Sequence, residues 1–136
     1  MDAATPDFVA PDAWCARLRW PAPADSAAAD HLRERFAEHG PPARAVAETT
    51  AGVGMLRALG GNAPYLADLA AREWQTVCAV ARDGPDGVVA AALDSLAGPP
   101  AASRAVTGAA LRAAKRVVAL AVALADIGGA WRLDRV

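Results

Sequence analysis

Residues 103 to 129 read Ser103-Arg104-Ala105-Val106-Thr107-Gly108-Ala109-Ala110-Leu111-Arg112-Ala113-Ala114-Lys115-Arg116-Val117-Val118-Ala119-Leu120-Ala121-Val122-Ala123-Leu124-Ala125-Asp126-Ile127-Gly128-Gly129. One helical pattern runs through this stretch. Ser103 suits the N-cap, and Gly128-Gly129 supplies the backbone freedom that a helix C-terminus favours. Arg104, Arg112, Lys115 and Arg116 mark a solvated face, whereas Val117 to Ala125 carries no charge at all. An uncharged stretch of this length is far short of the roughly 20 residues that cross a bilayer. The economical reading is a helix whose second half is enclosed by other helices. Leu111, Val118, Val122 and Ala125 lie on one stripe at helical spacing and are expected to face the inner helices. Residues 117 to 133 are expected to form a docking surface for following chain, with self-association if nothing else covers them.

Working outward, the composition supports an all-α domain built around that helix. Apolar residues make up 54% of the 136, but 38 of them are alanine, which leaves 36 larger apolar side chains for a core. Alanine is the best helix former, and the β-branched and aromatic residues that fill strands are scarce here. A net charge of -1 generates no field that would draw the chain to nucleic acid or an anionic membrane. Cys15 and Cys78 stand far apart and form no metal or disulfide framework. The N-terminus has neither the basic nor the apolar region of a secretory signal, so a cytoplasmic location is expected.

Residues 1–25 contain Pro6, Pro11, Pro21 and Pro23, and read as a Pro-rich irregular arm ahead of a helical domain over 26–136. Phe8, Trp14, Leu18 and Trp20 argue that the arm packs, with Trp14 and Leu18 on one face of a short helix. About six helices are expected in an orthogonal or bundle arrangement. Ser26 suits the N-cap of a helix over 27–39, ended by Gly40-Pro41-Pro42. A second runs from Ala43 to about Leu59 and ends at Gly60-Gly61. Pro64 opens a third, short helix with Tyr65, Leu66, Leu69 and Ala70 on one side. Asp83-Gly84-Pro85-Asp86-Gly87 separates helices over 74–82 and 87–97.

Little in the chain has the pattern of chemistry. No Asp-x-Asp, Asp-x-Glu or Glu-x-Glu occurs. His31 and His39, eight residues apart on one helix, are rotated by about 80° and do not share a metal-facing edge. Neither cysteine has a neighbour that would lower its pKa. Gly52-Val53-Gly54 lacks the third glycine and preceding strand of a phosphate-binding turn, and reads as close helix packing. Arg112, Lys115 and Arg116 form the solvated side of a helix, with an acidic partner as the rarer reading. Catalytic, cofactor-binding and metal-binding residues are therefore all read as none.

Two strings carry a resemblance. Gly61-Asn62-Ala63-Pro64-Tyr65-Leu66-Ala67 resembles the Gly-Asn-Ser-Pro-Tyr/Phe-Leu-Ala element near the start of bifunctional glutamine synthetase adenylyltransferase/adenylyl-removing enzymes. Further on, Leu111-Arg112-Ala113-Ala114-Lys115-Arg116, Ala119-Leu120 and Ala123-Leu124-Ala125-Asp126-Ile127-Gly128-Gly129, with Trp131 and Leu133, are similar to that family's Leu-Arg-Arg-x-Lys-x-Arg, Ala-Leu-Ala-Asp-Ile-x-Gly and Trp-x-Leu run. Arg72-Glu73 and Gly84-Pro85-Asp86 also have equivalents in the family, so the likeness spans about 58 to 136. The departures are Ala63 for Ser, Trp74 for Pro, Val117 for a basic residue and Arg132 for Pro.

The resemblance implies the N-terminal helical segment of the adenylyl-removing half, acting as a scaffold. Family members carry two nucleotidyltransferase domains that attach AMP to a glutamine synthetase tyrosine and remove it by phosphorolysis. Each domain uses a Gly-rich start and an Asp-x-Asp pair to hold divalent metal and nucleotide phosphates. Mg and ATP are thus implied for the full-length family and not for this chain, which has neither motif. The implied partners are the following nucleotidyltransferase domain, glutamine synthetase and a PII-type signalling protein that ties it to nitrogen metabolism. The competing reading is a free-standing helical interaction or regulatory module without catalytic activity.

Overall fold

The computed structural model describes residues 13–97 and 104–130. Phe8, Ser103, Trp131 and Leu133 lie outside them. The described residues form one short 3₁₀ helix, Trp14–Arg17, and seven α-helices. These are α1 (Ser26–Ala37), α2 (Pro41–Glu48), α3 (Thr50–Asn62), α4 (Pro64–Arg72), α5 (Trp74–Asp83), α6 (Pro85–Asp94) and α7 (Arg104–Ile127). The all-α class expected from the alanine content is what the chain adopts. α1 packs on α2, α3 and α4, while α7 runs against α3, α4, α5 and α6. Phe36, Leu32, Met55, Leu56, Leu59, Leu69, Leu120 and Leu124 are fully buried and supply most of the core's volume.

Several boundaries differ from the sequence reading, each for a local reason. α1 starts at Ser26, and its cap is Asp25, whose side chain accepts from Ala28 N at 3.0 Å. The helix expected over 43–59 is two helices. Thr49 leaves the helical region (φ -94°, ψ 154°) and caps the second by accepting from Gly52 N, while its hydroxyl donates to Val46 O. A side chain on Gly52 would collide with the Val46 carbonyl, so this glycine lets α2 end directly against α3. Gly60-Gly61 does not end a helix. Both residues are buried inside α3, which continues to Asn62. α6 begins two residues earlier than expected because Pro85 serves as its first residue, following Gly84 at φ 94°.

The glycines inside and beside the helices turn out to be seats for the proline-rich segment. Gly61 faces Pro23, and a Cβ on it would also lie 2.9 Å from the Asp25 carbonyl. The Trp20 ring rests on Gly54 of α3, and its far edge with Leu18 would lie 2.8 Å from a Cβ on Gly128. Trp14 lies over Gly84. Within the segment the two indoles meet edge to face at 5.9 Å, and Trp20 Nε1 donates to Cys15 O at 2.9 Å. Cys15 itself is fully buried in the core cluster.

α7 ends as its glycines imply. Gly129 takes φ 72°, Gly129 N donates to Asp126 O, and Ala130 N donates to Ala125 O, which closes the last turn. Its covered stripe differs from the expected one. Ala114, Leu120, Ala121, Leu124 and Ala125 are buried, but Leu111 is 51% exposed. Val118 and Val122 are half-buried. Of residues 117–125 only Ala119 is exposed, with Val117, Val118, Val122 and Ala123 partly covered; Trp131 and Leu133 of the expected docking surface lie outside the described residues. The bundle reaches this half and stops short of the first, so the uncovered apolar surface lies nearer the helix start.

A pair of glycine substitutions tests the seats. Gly61→Ala should cost about 1–3 kcal/mol, since Pro23 and the Asp25 backbone must move. Gly87→Ala, with nothing within 4 Å of the added Cβ, should be neutral or stabilise by about 0.5 kcal/mol through lower unfolded-state entropy. Denaturant unfolding of both variants measures the difference, and equal effects would refute the assignment.

Candidate functional site

Two places merit a functional reading: the junction that carries the sequence strings, and a cleft beside α7. At the first, Asn62 ends α3 with its side chain fully engaged. Its Nδ2 donates to Ala58 O at 2.9 Å and to Ala22 O at 3.2 Å, and its Oδ1 accepts from Ala24 N at 3.0 Å. The neighbouring Gly61 carbonyl accepts from Asp25 N at 3.0 Å. An asparagine amide offers donor and acceptor in one plane, which is what an irregular segment lacking helix partners needs from its neighbour. Pro64 opens α4 behind Ala63, which provides no side-chain cap.

The second string grips the same segment from the other side. Gly128 lies buried beneath Leu18 and Trp20. Gly61, Asn62 and Gly128 are thus brought together by what they hold, residues 18–25. Ala125 and Ile127 pack in or against the core, with Leu66 likewise partly buried against it. Arg116 reaches Glu73 at the α4–α5 junction, Nε to Oε2 3.2 Å. The other string residues are not gathered: Tyr65 is 71% exposed, and Arg112, Lys115 and Asp126 face solvent. Trp131 is outside the described residues.

Burial pushes both thiols up, Cys15 to about 11 and Cys78 to about 11, so at neutral pH each stays protonated and unreactive. His39 stacks on Trp74 at 5.3 Å, and His31 is exposed. Among the described residues no three His, Cys, Asp or Glu side chains come together as metal ligands. Nor is any helix among them long and apolar enough to cross a membrane.

The sequence reading missed the second place altogether. α5, α6 and α7 enclose an open cleft of about 580 Å³ lined by alanines of all three helices, Ala79, Ala91, Ala92, Ala110, Ala113 and Ala114, with Val88, Val117 and the polar Gln75, Thr76 and Ser95. Each of those alanines reads as a generic helix former, and their convergence depends on how three helices cross. A smaller, polar cleft of about 450 Å³ is lined by Arg35, Glu38, His39 and Arg72. Arg35 is already paired with Asp68 there.

Comparison with known proteins supplies a relative for the chain as a whole. Over 123 residues it is 34% identical to the bifunctional glutamine synthetase adenylyltransferase/adenylyl-removing enzyme of Rhodopseudomonas palustris (strain BisB5). The chain is similar to part of that enzyme. The match takes in 88% of this chain but 12% of the relative, so the chain spans about an eighth of that protein's length. No family profile matches the chain, and no solved structure matches it significantly. The match therefore extends over most of the sequence.

The two ends of the first string should behave differently when truncated. Asn62→Ala removes two hydrogen bonds that fix residues 22–24 and a third to Ala58 O within α3, and should cost about 1–2 kcal/mol. Tyr65→Ala, on an exposed ring, should stay within about 0.5 kcal/mol of the parent. Thermal unfolding of the two variants checks this, and a Tyr65 loss equal to that of Asn62 would contradict it.

Proposed function

We propose that this chain is a helical scaffold segment of a glutamine synthetase adenylyltransferase/adenylyl-removing enzyme, placed before the adenylyl-removing nucleotidyltransferase domain. In that reading the parent protein attaches AMP to a glutamine synthetase tyrosine and removes it by phosphorolysis in the cytoplasm. The chain's own part is mechanical. The observation that carries the reading is the identity with the relative over nearly the whole chain, combined with side chains that fix an irregular segment and hold no reacting group. Asn62, Gly61 and Gly128 set the path of residues 18–25, and Arg116 with Glu73 ties α7 to the α4–α5 junction.

The residues present do not fit a magnesium–nucleotide site. Among the described residues no ligand group of three exists, and the sequence holds no Asp-x-Asp pair. No step of nucleotidyl transfer is derived for this chain. Magnesium, ATP, glutamine synthetase and a PII-type regulator belong, in this reading, to the longer protein.

Two measurements test the reading together. Calorimetry of the pure chain with Mg-ATP, and a turnover assay with glutamine synthetase, should give no binding and no AMP transfer or removal. The coding frame should continue into a Gly-rich turn followed by Asp-x-Asp. Metal-dependent turnover by the chain alone would overturn the scaffold role, and a stop codon directly after Val136 would favour a free-standing interaction module.

A further inference from the structure

Residues 13–24 are fastened to the helices at one end by hydrogen bonds and elsewhere by shape alone. Among the described residues, Ala13 to Pro21 make no hydrogen bond to α1–α7. Their polar contacts, Ala16 N to Ala13 O and Trp20 Nε1 to Cys15 O, stay inside the segment. The bonds that do reach the helices join Ala22 and Ala24 to Asn62 and Asp25 to Gly61, all beside the start of α1. Ahead of them Trp14, Leu18 and Trp20 are half-buried, only Ala13 and Cys15 are buried, and Ala16, Arg17, Arg19 and Pro21 are exposed.

The seats that receive the large side chains are backbone. Trp14 lies on Gly84, Trp20 on Gly54, and Leu18 with Trp20 on Gly128. Withdrawal of the rings therefore uncovers, at these seats, peptide groups that water solvates, in place of apolar side chains that must stay buried. Few backbone hydrogen bonds and partial burial place the segment at the low end of local stability. The same rings cover the turn in which α7 ends. Gly128 is buried, and Gly128 N, Gly129 N and Ala130 N donate to the Leu124, Asp126 and Ala125 carbonyls. A Cβ on Gly128 would lie 2.8 Å from both Leu18 and Trp20. Contacts that close are either made or broken, because packed surfaces do not deform continuously.

We propose that residues 13–24 are a latch hinged at Asp25, which opens as one unit and thereby frees the turn that ends α7, coupling the chain that enters α1 to the chain that leaves α7. This goes beyond the scaffold reading and does not rest on it. A partner that captures the withdrawn segment loosens the end of α7, and by linkage whatever displaces that end loosens the segment. Cys15 reports the opening. It is fully buried in the core cluster, and burial pushes its thiol up to about 11, so it reacts when the latch withdraws.

The test combines iodoacetamide labelling of Cys15 with hydrogen exchange, followed by NMR, on the intact chain. In urea well below the unfolding midpoint, Cys15 labelling and exchange at Gly129 and Ala130 should share one weak urea dependence. The amides of Leu32 and Phe36 in α1 should instead follow the steep dependence of global unfolding. Two substitutions then probe the unit from its ends. Trp14→Ala acts at Gly84 and Asn62→Ala at the hinge, whereas the groups seated on Gly128 are Leu18 and Trp20. Each should accelerate Cys15 labelling and Gly129 and Ala130 exchange by one common factor of about fivefold or more, with the α1 amides unchanged. Acceleration confined to the neighbours of each substituted residue would overturn the proposal. So would Cys15 labelling as steep in urea as the α1 amides, since the segment would then leave only when the whole fold does.

Discussion

The fold depends on the Trp20 indole. It lies on Gly54 of α3 and against Gly128 at the end of α7, while its N–H is satisfied by the Cys15 carbonyl. One ring thereby joins the middle of the chain to the end of its longest helix. At Gly128 a Cβ would lie 2.8 Å from the ring, so the close approach there requires glycine, whereas at Gly54 a Cβ would make ordinary contact at 3.7 Å; a ring that large fills volume that alanine helices leave open. Trp14 over Gly84 and Pro23 against Gly61 repeat the device at two other crossings.

An alanine-rich chain needs such a device. Alanine forms helices well but buries little area, so helices joined by alanine faces gain little from each contact. The large core side chains are concentrated on α1, α3, α4 and the second half of α7. Where large residues run out, the segment 13–25 supplies aromatic rings from outside the helices, and where neither is available a cleft remains between α5, α6 and α7. The closed crossings hold the structure together. The strings that resemble the adenylyltransferase family fall at the closed crossings in Gly61, Asn62 and Gly128.

How much of this was legible follows from the range of each interaction. The helix class, the Pro64 and Gly128-Gly129 boundaries and the packing of Trp14 and Trp20 are written locally, in alanine content, proline position and aromatic side chains among prolines. The break at Thr49 was not, because Thr is an ordinary helix residue until its hydroxyl finds Gly52 N and Val46 O. Gly60-Gly61 looked like a stop because a glycine's local meaning is flexibility, whereas its meaning here is the absence of a Cβ opposite Leu32 and Pro23. Leu111 was assigned inward by periodicity, but periodicity identifies a stripe and cannot say how far along a helix the neighbours reach. The cleft was invisible for the same reason.

Hydrogen exchange on the intact chain and on Trp20→Ala measures the central claim most directly, because it reads each element separately. If one indole holds α3 and α7 together, the variant loses protection at once around Gly54, around Gly128 and in residues 22–25, while α6 exchanges as before. Loss of protection confined to the residues next to position 20, with α3 and the end of α7 unchanged, would contradict the account.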